Sequence, residues 1–599
     1  MCWDEAHSLI NDIPCVRWTR FSELLRAFHE IRECPVFQVF LSTDLRFEYE
    51  AAARALALTS GRAGSTFSPI TEVGFDEFAR SVGSAGSSSL AEVASTSHIA
   101  HLGRPLFATR YDHGVEHVKK NIVHFAQEKL LCRRPTPGRR LSTIETLACL
   151  TIRLGLDFTP PKGPWSLEDR EAELALVERH MRLCLAALPG LARFITVSST
   201  EPLMAEAAYE TMKWCLGKPH DAARALFEHV RESRVDGGER GEVLAALLLL
   251  LARDKAVAQR RVPNYGLPCT LENDGREGRI ITVLELLDAL LPSDAARVGV
   301  RKQLPSRYTE GRGEQKLEDA FKRGRIWFNH FIKIYDGDII NQESLWRLLT
   351  RGAAVIFATN SRGFDILIPV LFGGRVRPQN VSALVVGVRI DDDGGHTARV
   401  REAVFGTMDP FKRRLFLGGR EEDAPYPVIR MVLALCADDS ESGVRLRELP
   451  SARTTDLDSD SNSDSDSRSD SGSDKYTAYD IWITGLTHDS YGVIDKGRSG
   501  DFKSVLSQVL RKFDGGGYWD GLLDDGYKSL GCQWGASKRQ VEVRKDVRRR
   551  MHPLGTGMSM MGDDEPEDEP EDEGDDEDEG DDEDEEDDED EEDVMGDAD

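Results

Sequence analysis

Two neighbouring apolar segments carry the residues whose types and spacing could support phosphodiester chemistry. The segment FDILIPVLF (364–372) contains Asp365, and the segment VSALVVGVRI (381–390) contains Gly387 and Arg389. A carboxylate on one strand and a carboxylate-x-lysine on the next can hold a divalent cation such as Mg²⁺ and a positive charge around one phosphodiester. The second half of that pattern is altered here, because Gly387 has no ligand atom and Arg389 stands in the place of lysine. Asp365 is therefore the predicted metal ligand, and Arg389 the predicted phosphate-contacting residue.

A second pair of carboxylates, Asp4 and Glu5, lies near the start of the chain. In ATPases such a pair follows a buried strand, where the aspartate orients Mg²⁺ through water and the glutamate polarises the attacking water. Asp4 and Glu5 are thus the predicted cofactor-binding residues. The sequence has no G-x-x-x-x-G-K-[ST] loop to cradle phosphates, so ATP is not an expected cofactor. We expect an N-terminally truncated ATPase remnant over 1–115 that lacks the strand before Asp4.

The elements around Asp365 form an α/β pattern that could position these side chains. Side chains alternate between the two faces of a strand, so Gly387 and Arg389 are predicted to point to the same face. A helix is predicted over NQESLWRLLTRG (341–352), and strands over AAVIFAT (353–359) and PYPVIRMVLALC (425–436). A helix followed by several strands indicates an α/β core of restriction-endonuclease type.

Residues 116–300 show helical periodicity instead. Apolar residues recur at spacings of three and four with charges on the opposite face, which predicts amphipathic helices that pack on one another. The predicted helices are NIVHFAQEKLL (121–131), STIETLACLTIRLGL (142–156), EAELALVERHMRLCLAALPGL (171–191), EPLMAEAAYETMKWCL (201–216), GEVLAALLLLLARDKAV (241–257) and RIITVLELLDALL (279–291). This region is expected to link the two ends of the chain.

The negative charge is concentrated in one segment. The formal net charge is −29, and residues 563–599 hold 29 of the 105 acidic residues and no Lys or Arg. The remaining 76 acids balance the 76 bases, so the folded part is predicted to be neutral. This balance excludes a nucleic-acid binder of high overall pI, although it leaves room for a basic groove.

Cysteine usage and hydropathy bear on the compartment. The ten cysteines include no Cys-x-x-Cys pair, which predicts thiols in a reducing compartment rather than disulfides or zinc. The longest apolar run, VLAALLLLLA (243–252), is shorter than the roughly 20 residues of a spanning helix. We therefore expect a cytoplasmic or nuclear protein without a membrane partner.

Three segments of biased composition are expected to lie outside the core. The run DLDSDSNSDSDSRSDSGSD (456–474) predicts a disordered Ser/Asp insert over 451–475. The stretch KRQVEVRKDVRRR (538–550) holds seven basic residues and resembles a bipartite nuclear-import signal. Self-repulsion is expected to extend the acidic tail 563–599, for which basic proteins such as histones are candidate partners.

Several short stretches occur in an order that resembles one family. They are Asp4-Glu5-Ala6-His7-Ser8-Leu9, FLSTD (40–44), AHLGRPLF (100–107), EPLMAEAAY (201–209), FNHFIK (328–333), RGAAVIFATNSRGFDILIPVLFGG (351–374) and YDIWITGL (479–486). In this order the chain resembles fungal (basidiomycete-type) proteins that join a P-loop ATPase, a helical region and a PD-(D/E)xK nuclease-like domain and are related to Crinkler-type proteins.

The resemblance implies a metal-binding acid at Asp365, a Glu or Gln at position 387 and a Lys at position 389. Gly387 and Arg389 depart from that pattern, and arginine keeps a positive charge but contacts phosphate differently from lysine. The departure predicts loss of cleavage with phosphate binding retained. Glu343, or one of the aspartates at 391–393, is the candidate source of a displaced carboxylate.

The expected organisation is multidomain α/β and α. It comprises the ATPase remnant over 1–115, a helical linker domain over 116–300, a restriction-endonuclease-like domain over 301–535, a basic segment over 536–562 and a disordered acidic tail over 563–599. Three functions stay open at this point. One is a degenerate ATPase–nuclease fusion, impaired at both sites, that retains binding to DNA. The others are an active Mg²⁺-dependent DNA nuclease that uses a displaced carboxylate, and a non-enzymatic, acidic-tailed nuclear interaction protein.

Overall fold

The structure is a computed structural model. Asp4, Glu5, the aspartates at 391–393, the insert 451–475 and the segments 536–562 and 563–599 lie outside the residues that it describes. The described residues are 2–3, 6–9, 20–30, 39–41, 75–136, 138–156, 158, 171–188, 193–215, 219–231, 240–260, 278–309, 311–334, 340–357, 363–390, 398–412, 415–416, 426–437, 439–446 and 476–506.

Helices fill most of the described chain up to the start of the sheet. In chain order they are α1 (Arg20–Glu30), α2 (Leu90–Val93), α3 (Thr96–Ala100), α4 (Pro105–His113), α5 (Glu116–Lys120), α6 (Ile122–Leu131), α7 (Thr143–Leu154), α8 (Glu171–Arg179), α9 (Pro202–Cys215), α10 (Pro219–Arg231), α11 (Arg240–Arg260), α12 (Val283–Leu290), α13 (Asp294–Lys302), α14 (Leu317–Phe321), α15 (Gln342–Thr350), α16 (Ala398–Thr407) and α17 (Ser499–Leu506).

The strands form one large sheet and two small ones. They are β1 (Cys2–Trp3), β2 (Val39–Phe40), β3 (Leu183–Leu188), β4 (Arg193–Val197), β5 (Ile281–Thr282), β6 (Arg325–Ile326), β7 (His330–Ile334), β8 (Ala353–Phe357), β9 (Ile366–Leu371), β10 (Val381–Arg389), β11 (Val428–Ala434), β12 (Gly443–Leu446) and β13 (Ala478–Thr484).

The large sheet is a curled mixed sheet that carries the segments of chemical interest. Its strand order is β12-β13-β11-β10-β9-β6-β5, and β8 also pairs with β9 and bears β7 on its other side. Strands β10, β11 and β13 run parallel, whereas β9 is antiparallel to both β8 and β10. Every residue of β11 and β13 is buried, because helices and loops cover both faces of parallel strands. The sheet is therefore core along its centre.

Local sequence signals explain where several helices begin. A Ser or Thr whose side chain caps the helix, with a Glu three residues later that bonds back, satisfies two backbone N–H groups at once. Such capping boxes start α2, α7 and α12. Helix α7 ends at Gly155, whose φ of +59° is left-handed and suits glycine. These boundaries follow from the sequence without tertiary information.

The apolar run 243–252 forms part of α11, a 21-residue helix whose first half is buried. Its neighbours are α12, α17 and the sheet, so its leucines face protein on several sides. None of the described helices, α11 included, combines the length and apolar character needed to cross a lipid bilayer.

The prediction of one helix over 171–191 is wrong in its second half. Helix α8 ends at Arg179, and Met181 adopts a left-handed φ of +64°, which a helix cannot contain. The chain then continues as β3, which pairs antiparallel with β4. Leucine and alanine favour helix in isolation, but pairing with a neighbouring strand overrides that preference.

A small cluster near the start of the chain contains a strand that was not expected. Cys2 and Trp3 form β1, which pairs parallel with β2 in the register Cys2 to Val39. The Trp3 and Phe40 rings stack at 6.3 Å, and Phe21 of α1 packs edge-on against Phe40 at 5.2 Å. The expectation that no strand precedes Asp4 is therefore corrected.

The main hydrophobic core is one contiguous cluster that runs from Leu90 to Val505. It crosses the predicted boundaries after residues 115 and 300, which stay predictions. Residues expected in the N-terminal remnant contact the sheet region directly, since Val376 donates to the Ser88 carbonyl at 2.9 Å. The ring of His98 lies 3.1 Å from the Thr350 carbonyl in the same way.

A buried ion pair joins the first helices to the sheet. Arg351, at the end of α15, donates to the Asp76 carboxylate at 2.6 and 3.2 Å and to the Thr200 carbonyl at 2.6 Å. The Asp76 carboxylate also accepts the Gly103 N–H at 2.6 Å. The two side chains are only 6% and 5% exposed. Water therefore solvates neither charge, and each depends on the other.

A second buried ionic cluster lies between α7, α9 and α11. Arg153 donates to the two oxygens of Asp254 at 2.6 and 2.8 Å, and its Nε donates to the Asn329 carbonyl next to β7. Glu206 of α9 lies 3.1 Å from Arg279, which precedes β5. These contacts fix the helices against the same part of the sheet that Arg351 anchors.

Replacing Asp76 with Asn is expected to lower the free energy of unfolding by about 3 kcal/mol or more, because it leaves Arg351 charged and buried without a counterion. Asn keeps the left-handed preference that Asp76 needs at its φ of +61°. The control is Glu343→Gln, which breaks the exposed ion pair with Arg347 and should cost less than about 0.5 kcal/mol. Urea unfolding measures both, and equal losses would contradict the ranking.

His330 and His98 are expected to make the protein less stable in mild acid. Burial, with the nearby Arg351 and Arg153, lowers the pKa of His330 to about 3, and burial lowers the pKa of His98 to about 4. In the unfolded chain both rings titrate near pH 6.5. The stability they contribute is therefore complete above pH 6.5 and falls as the pH approaches 4, by about 1.4 kcal/mol per pH unit for each ring.

Urea unfolding at several pH values between about 5 and 6.5, above the range of most carboxylates, tests this slope. His330→Gln should flatten this slope by about one proton. An unaltered slope in the His330 variant would refute the assignment.

Candidate functional site

Asp365 lies between the ends of three strands and hydrogen-bonds to two of them. The Phe357 N–H at the end of β8 donates to the Asp365 carbonyl, and the Asp365 N–H donates to the Val386 carbonyl of β10, both at 2.8 Å. The Val388 N–H donates to the Asp365 carboxylate at 2.6 Å. This side chain therefore satisfies a backbone donor of β10 at the point where β9 begins.

Burial and two neighbouring groups act on the pKa of the Asp365 carboxyl. Burial raises the pKa of its carboxyl, and the Val388 N–H and the positive charge of Arg389 oppose that rise. Arg389 is half-buried at the end of β10. Asp365 is therefore within electrostatic reach of the Arg389 guanidinium.

The position of Gly387 is closed by packed apolar side chains. In the sheet register Gly387 lies beside Val432, which lies beside Trp482. A Cβ placed on Gly387 would lie 3.4 Å from the Met408 sulfur and 3.9 Å from Val432 Cγ2. Met408 is fully buried, and Phe405 of α16 packs edge-on against Trp482 at 5.9 Å. A Cβ at this position would therefore make ordinary van der Waals contacts with Met408 and Val432.

Glu343 lies toward the opposite end of the strands from Asp365. Its exposed carboxylate pairs with Arg347 at 2.5 Å, and the preceding residue, Gln342, donates to the carbonyl of Val381 at 3.4 Å. Val381 begins β10, whereas Asp365 contacts its other end. At about 3.3 Å per residue this part of β10 spans roughly 23 Å, while oxygens on one Mg²⁺ lie within about 4 Å of each other. The structure therefore does not bring Glu343 to Asp365.

Other candidate ligands add no further carboxylate within the described ranges. Asp4, Glu5 and the aspartates at 391–393 lie outside them. Among the residues that the structure does describe, no group of three His, Cys, Asp or Glu side chains is placed to hold a metal ion.

The same face of the sheet carries a buried ion pair that sequence reasoning missed. Arg430 of β11 and Asp480 of β13 are paired in register, and the guanidinium donates to both carboxylate oxygens at 2.7 Å. Arg430 also donates to the Phe405 carbonyl at 2.9 Å and to the Tyr476 hydroxyl at 3.3 Å. The sequence signal that could have revealed this ion pair is a single charged residue inside each of two apolar strands. A charge in such a position needs a buried partner.

This ion pair fixes the cover over Gly387. Because Arg430 binds the carbonyl at the end of α16, it holds the helix against the strands, and Met408 follows directly. Arg307 reinforces the same corner, since it donates to Asp409 at 3.1 Å and to Tyr476 at 3.3 Å. The candidate site is therefore a packed strand end with Asp365 and Arg389 at its margin.

No protein-family model, curated protein or solved structure matches this chain.

The contacts of Asp365 predict different effects for two substitutions. Asp365→Ala leaves the buried Val388 N–H without its acceptor and should cost about 1–3 kcal/mol of unfolding free energy. Asp365→Asn keeps an amide oxygen for that N–H and removes a buried charge, so we expect little loss. Thermal and urea unfolding compare the two variants. Equal destabilisation by Ala and Asn would show that the charge, rather than the hydrogen bond, is what the fold requires.

Proposed function

We propose that this chain is a nuclease-shaped protein that binds nucleic acid without cleaving it, the degenerate form of an ATPase–nuclease fusion. The packing over Gly387 is the observation that carries the proposal. The fully buried Met408 packs against the position where the second ligand side chain of a complete site would begin. Asp365 already accepts the Val388 N–H, and among the described residues no group of three His, Cys, Asp or Glu side chains could hold a metal ion there.

The order and direction of the elements support a nuclease-like core. Helix α15 is followed by β8, β9 and β10, which pair antiparallel in sequence order, and then by α16 and the parallel strand β11. The two strands expected to bear the ligands, β9 and β10, lie side by side at the centre. This arrangement agrees with the restriction-endonuclease type of core that the sequence pattern predicts.

The positive charge of Arg389 supports phosphate binding rather than cleavage. Arg389 keeps a guanidinium at the position expected to face a phosphate, and arginine matches phosphate oxygens in a bidentate manner. ATP hydrolysis is not part of the proposal, because the sequence has no phosphate-cradling loop to hold the nucleotide.

An active nuclease that uses a displaced carboxylate is the competing hypothesis. Its Glu343 form loses support, because that side chain lies far along β10 from Asp365. The other form of this hypothesis uses the aspartates at 391–393 as ligands. It predicts that cleavage requires these aspartates, which the same assay tests.

The test is incubation of the purified full chain with supercoiled plasmid and Mg²⁺ or Mn²⁺. We expect no nicking above that of Asp365→Asn, because the site lacks a second ligand. The control for contaminating nuclease is the same preparation carrying Asp365→Asn. Cleavage that disappears in this variant would overturn the proposal, and cleavage that also disappears when the aspartates at 391–393 are changed to Asn would favour the displaced-carboxylate nuclease.

Restoring the expected side chains at positions 387 and 389 also tests the importance of the packing over Gly387. Gly387→Glu with Arg389→Lys restores the family pattern but leaves Met408 in place, so it should destabilise the fold without restoring cleavage. Adding Met408→Ala opens the space above residue 387. Only this triple variant is expected to bind Mn²⁺ in a thermal-shift titration.

A further inference from the structure

Helices α4, α5 and α6 present a cluster of cations over two aromatic rings. The guanidinium of Arg110 lies 4.0 Å from the centroid of the Phe125 ring, and the ammonium of Lys129 lies 5.4 Å from the same centroid. Lys119 lies 5.8 Å from the centroid of the Tyr111 ring. Arg110 and Lys129 are exposed and Lys119 is half-buried. We name these three cations and two rings the α4–α6 face.

The two aromatic rings of the α4–α6 face pack against buried aromatic side chains. Phe125 packs edge-on against the buried Phe107 at 6.2 Å, and Tyr111 packs edge-on against His101 at 5.9 Å. Both rings contact the main hydrophobic core. Cation–π attraction therefore keeps the three cations close to a fixed surface and limits the side-chain entropy that a ligand would have to remove.

Carboxylates do not neutralise these three cations within the described part of the chain. The acids closest in sequence already have other partners. Asp112 contacts His101 at 3.0 Å, Glu116 pairs with Lys120 at 4.0 Å, and Glu128 pairs with His124 and Arg134 at 3.6 Å each. No ion pair engages Arg110, Lys119 or Lys129 among the described residues.

The local charge is unusual for this protein. Residues 110–140 contain eight Lys or Arg against three Asp or Glu, whereas residues 1–562 as a whole have equal numbers. Arg139 and Arg140, just beyond α6, are also exposed. Arg110 and Lys129 share one ring, so their charges lie less than 10 Å apart. Such closely spaced like charges raise one another's energy and are stabilised by a polyanion.

We propose that the α4–α6 face binds the phosphate backbone of nucleic acid without reading its sequence. The cations lie over the rings, so the rings are not free to stack on bases, and phosphate is the group that the surface can contact. The partner is chosen on the strength of the proposed function, but the surface is separate from the strand end at Asp365. Binding through cations alone releases counterions and depends steeply on salt.

Fluorescence anisotropy of labelled DNA duplexes and single strands, titrated with the full chain at several salt concentrations, tests the proposal. The variant is Arg110→Gln, Lys119→Gln and Lys129→Gln together. The matched control removes three exposed cations elsewhere, Lys302→Gln, Lys322→Gln and Arg323→Gln. We expect the first variant to weaken binding at least tenfold near 0.1 M salt and to reduce the slope of log K against log salt by about two to three.

The two triple variants should also differ in what they leave intact. The control should keep both the affinity and the salt slope, and both variants should unfold at the same temperature as the parent chain. A second arm repeats the titration without residues 563–599, so that the 29 carboxylates of that segment are absent from the titration.

Several outcomes would overturn the assignment. If both triple variants lose affinity equally, the binding is general and the α4–α6 face has no special part in it. If neither the full chain nor the shortened chain binds any oligonucleotide, the inference fails outright. Binding to vesicles that contain phosphatidylserine, lost in the first variant and without any nucleic-acid binding, would reassign the face to membranes.

The proposed function and this inference can fail separately. Nucleic-acid binding that survives in the first variant but is lost in Arg389→Gln would leave the proposed function standing and refute the inference. Plasmid cleavage that requires Asp365, combined with loss of binding in the first variant, would refute the proposed function and leave this inference standing.

Discussion

Charges buried away from water are the constraint on which the rest of the structure depends. Arg351 pairs with Asp76. Arg153, which pairs with Asp254, also donates to the Asn329 carbonyl next to β7, so both ion pairs join the first 260 residues to the sheet region. Removing either partner leaves a charge in a medium that solvates it poorly, at a cost of several kcal/mol. The helical region and the sheet therefore have to stay together. The main hydrophobic core of the residues described is one contiguous cluster.

The same logic explains the strand end at Asp365. On the face that Gly387 and Arg389 share, the Arg430–Asp480 pair requires cover, and α16 supplies it by accepting a hydrogen bond from the guanidinium. That cover brings Met408 onto Gly387. Asp365 is used as an acceptor for the Val388 N–H, so it has a structural task whether or not an ion is ever present. Asp365 and Gly387 are thus engaged in backbone hydrogen bonding and in packing, respectively.

Two surfaces of opposite character follow from these constraints. At the strand end, charges are few, paired and partly buried, which favours a fixed geometry over ligand exchange. On the α4–α6 face, Arg110, Lys119 and Lys129 lie over rigid rings with no carboxylate partner among the described residues. The nucleic-acid binding proposed for the α4–α6 face therefore does not depend on the contacts at the strand end.

The sequence by itself determined the local features. Alternation along 381–390 predicted that Gly387 and Arg389 share a face, and apolar periodicity predicted α6, α9 and α11. Each of these depends on neighbours within a few residues. Only the tertiary structure decided that residues 183–188 form a strand, that Glu343 lies far from Asp365, and that Met408 closes Gly387. Those outcomes depend on contacts between segments distant in sequence, such as Arg430 with Asp480. A local sequence pattern does not determine which two buried charges form an ion pair.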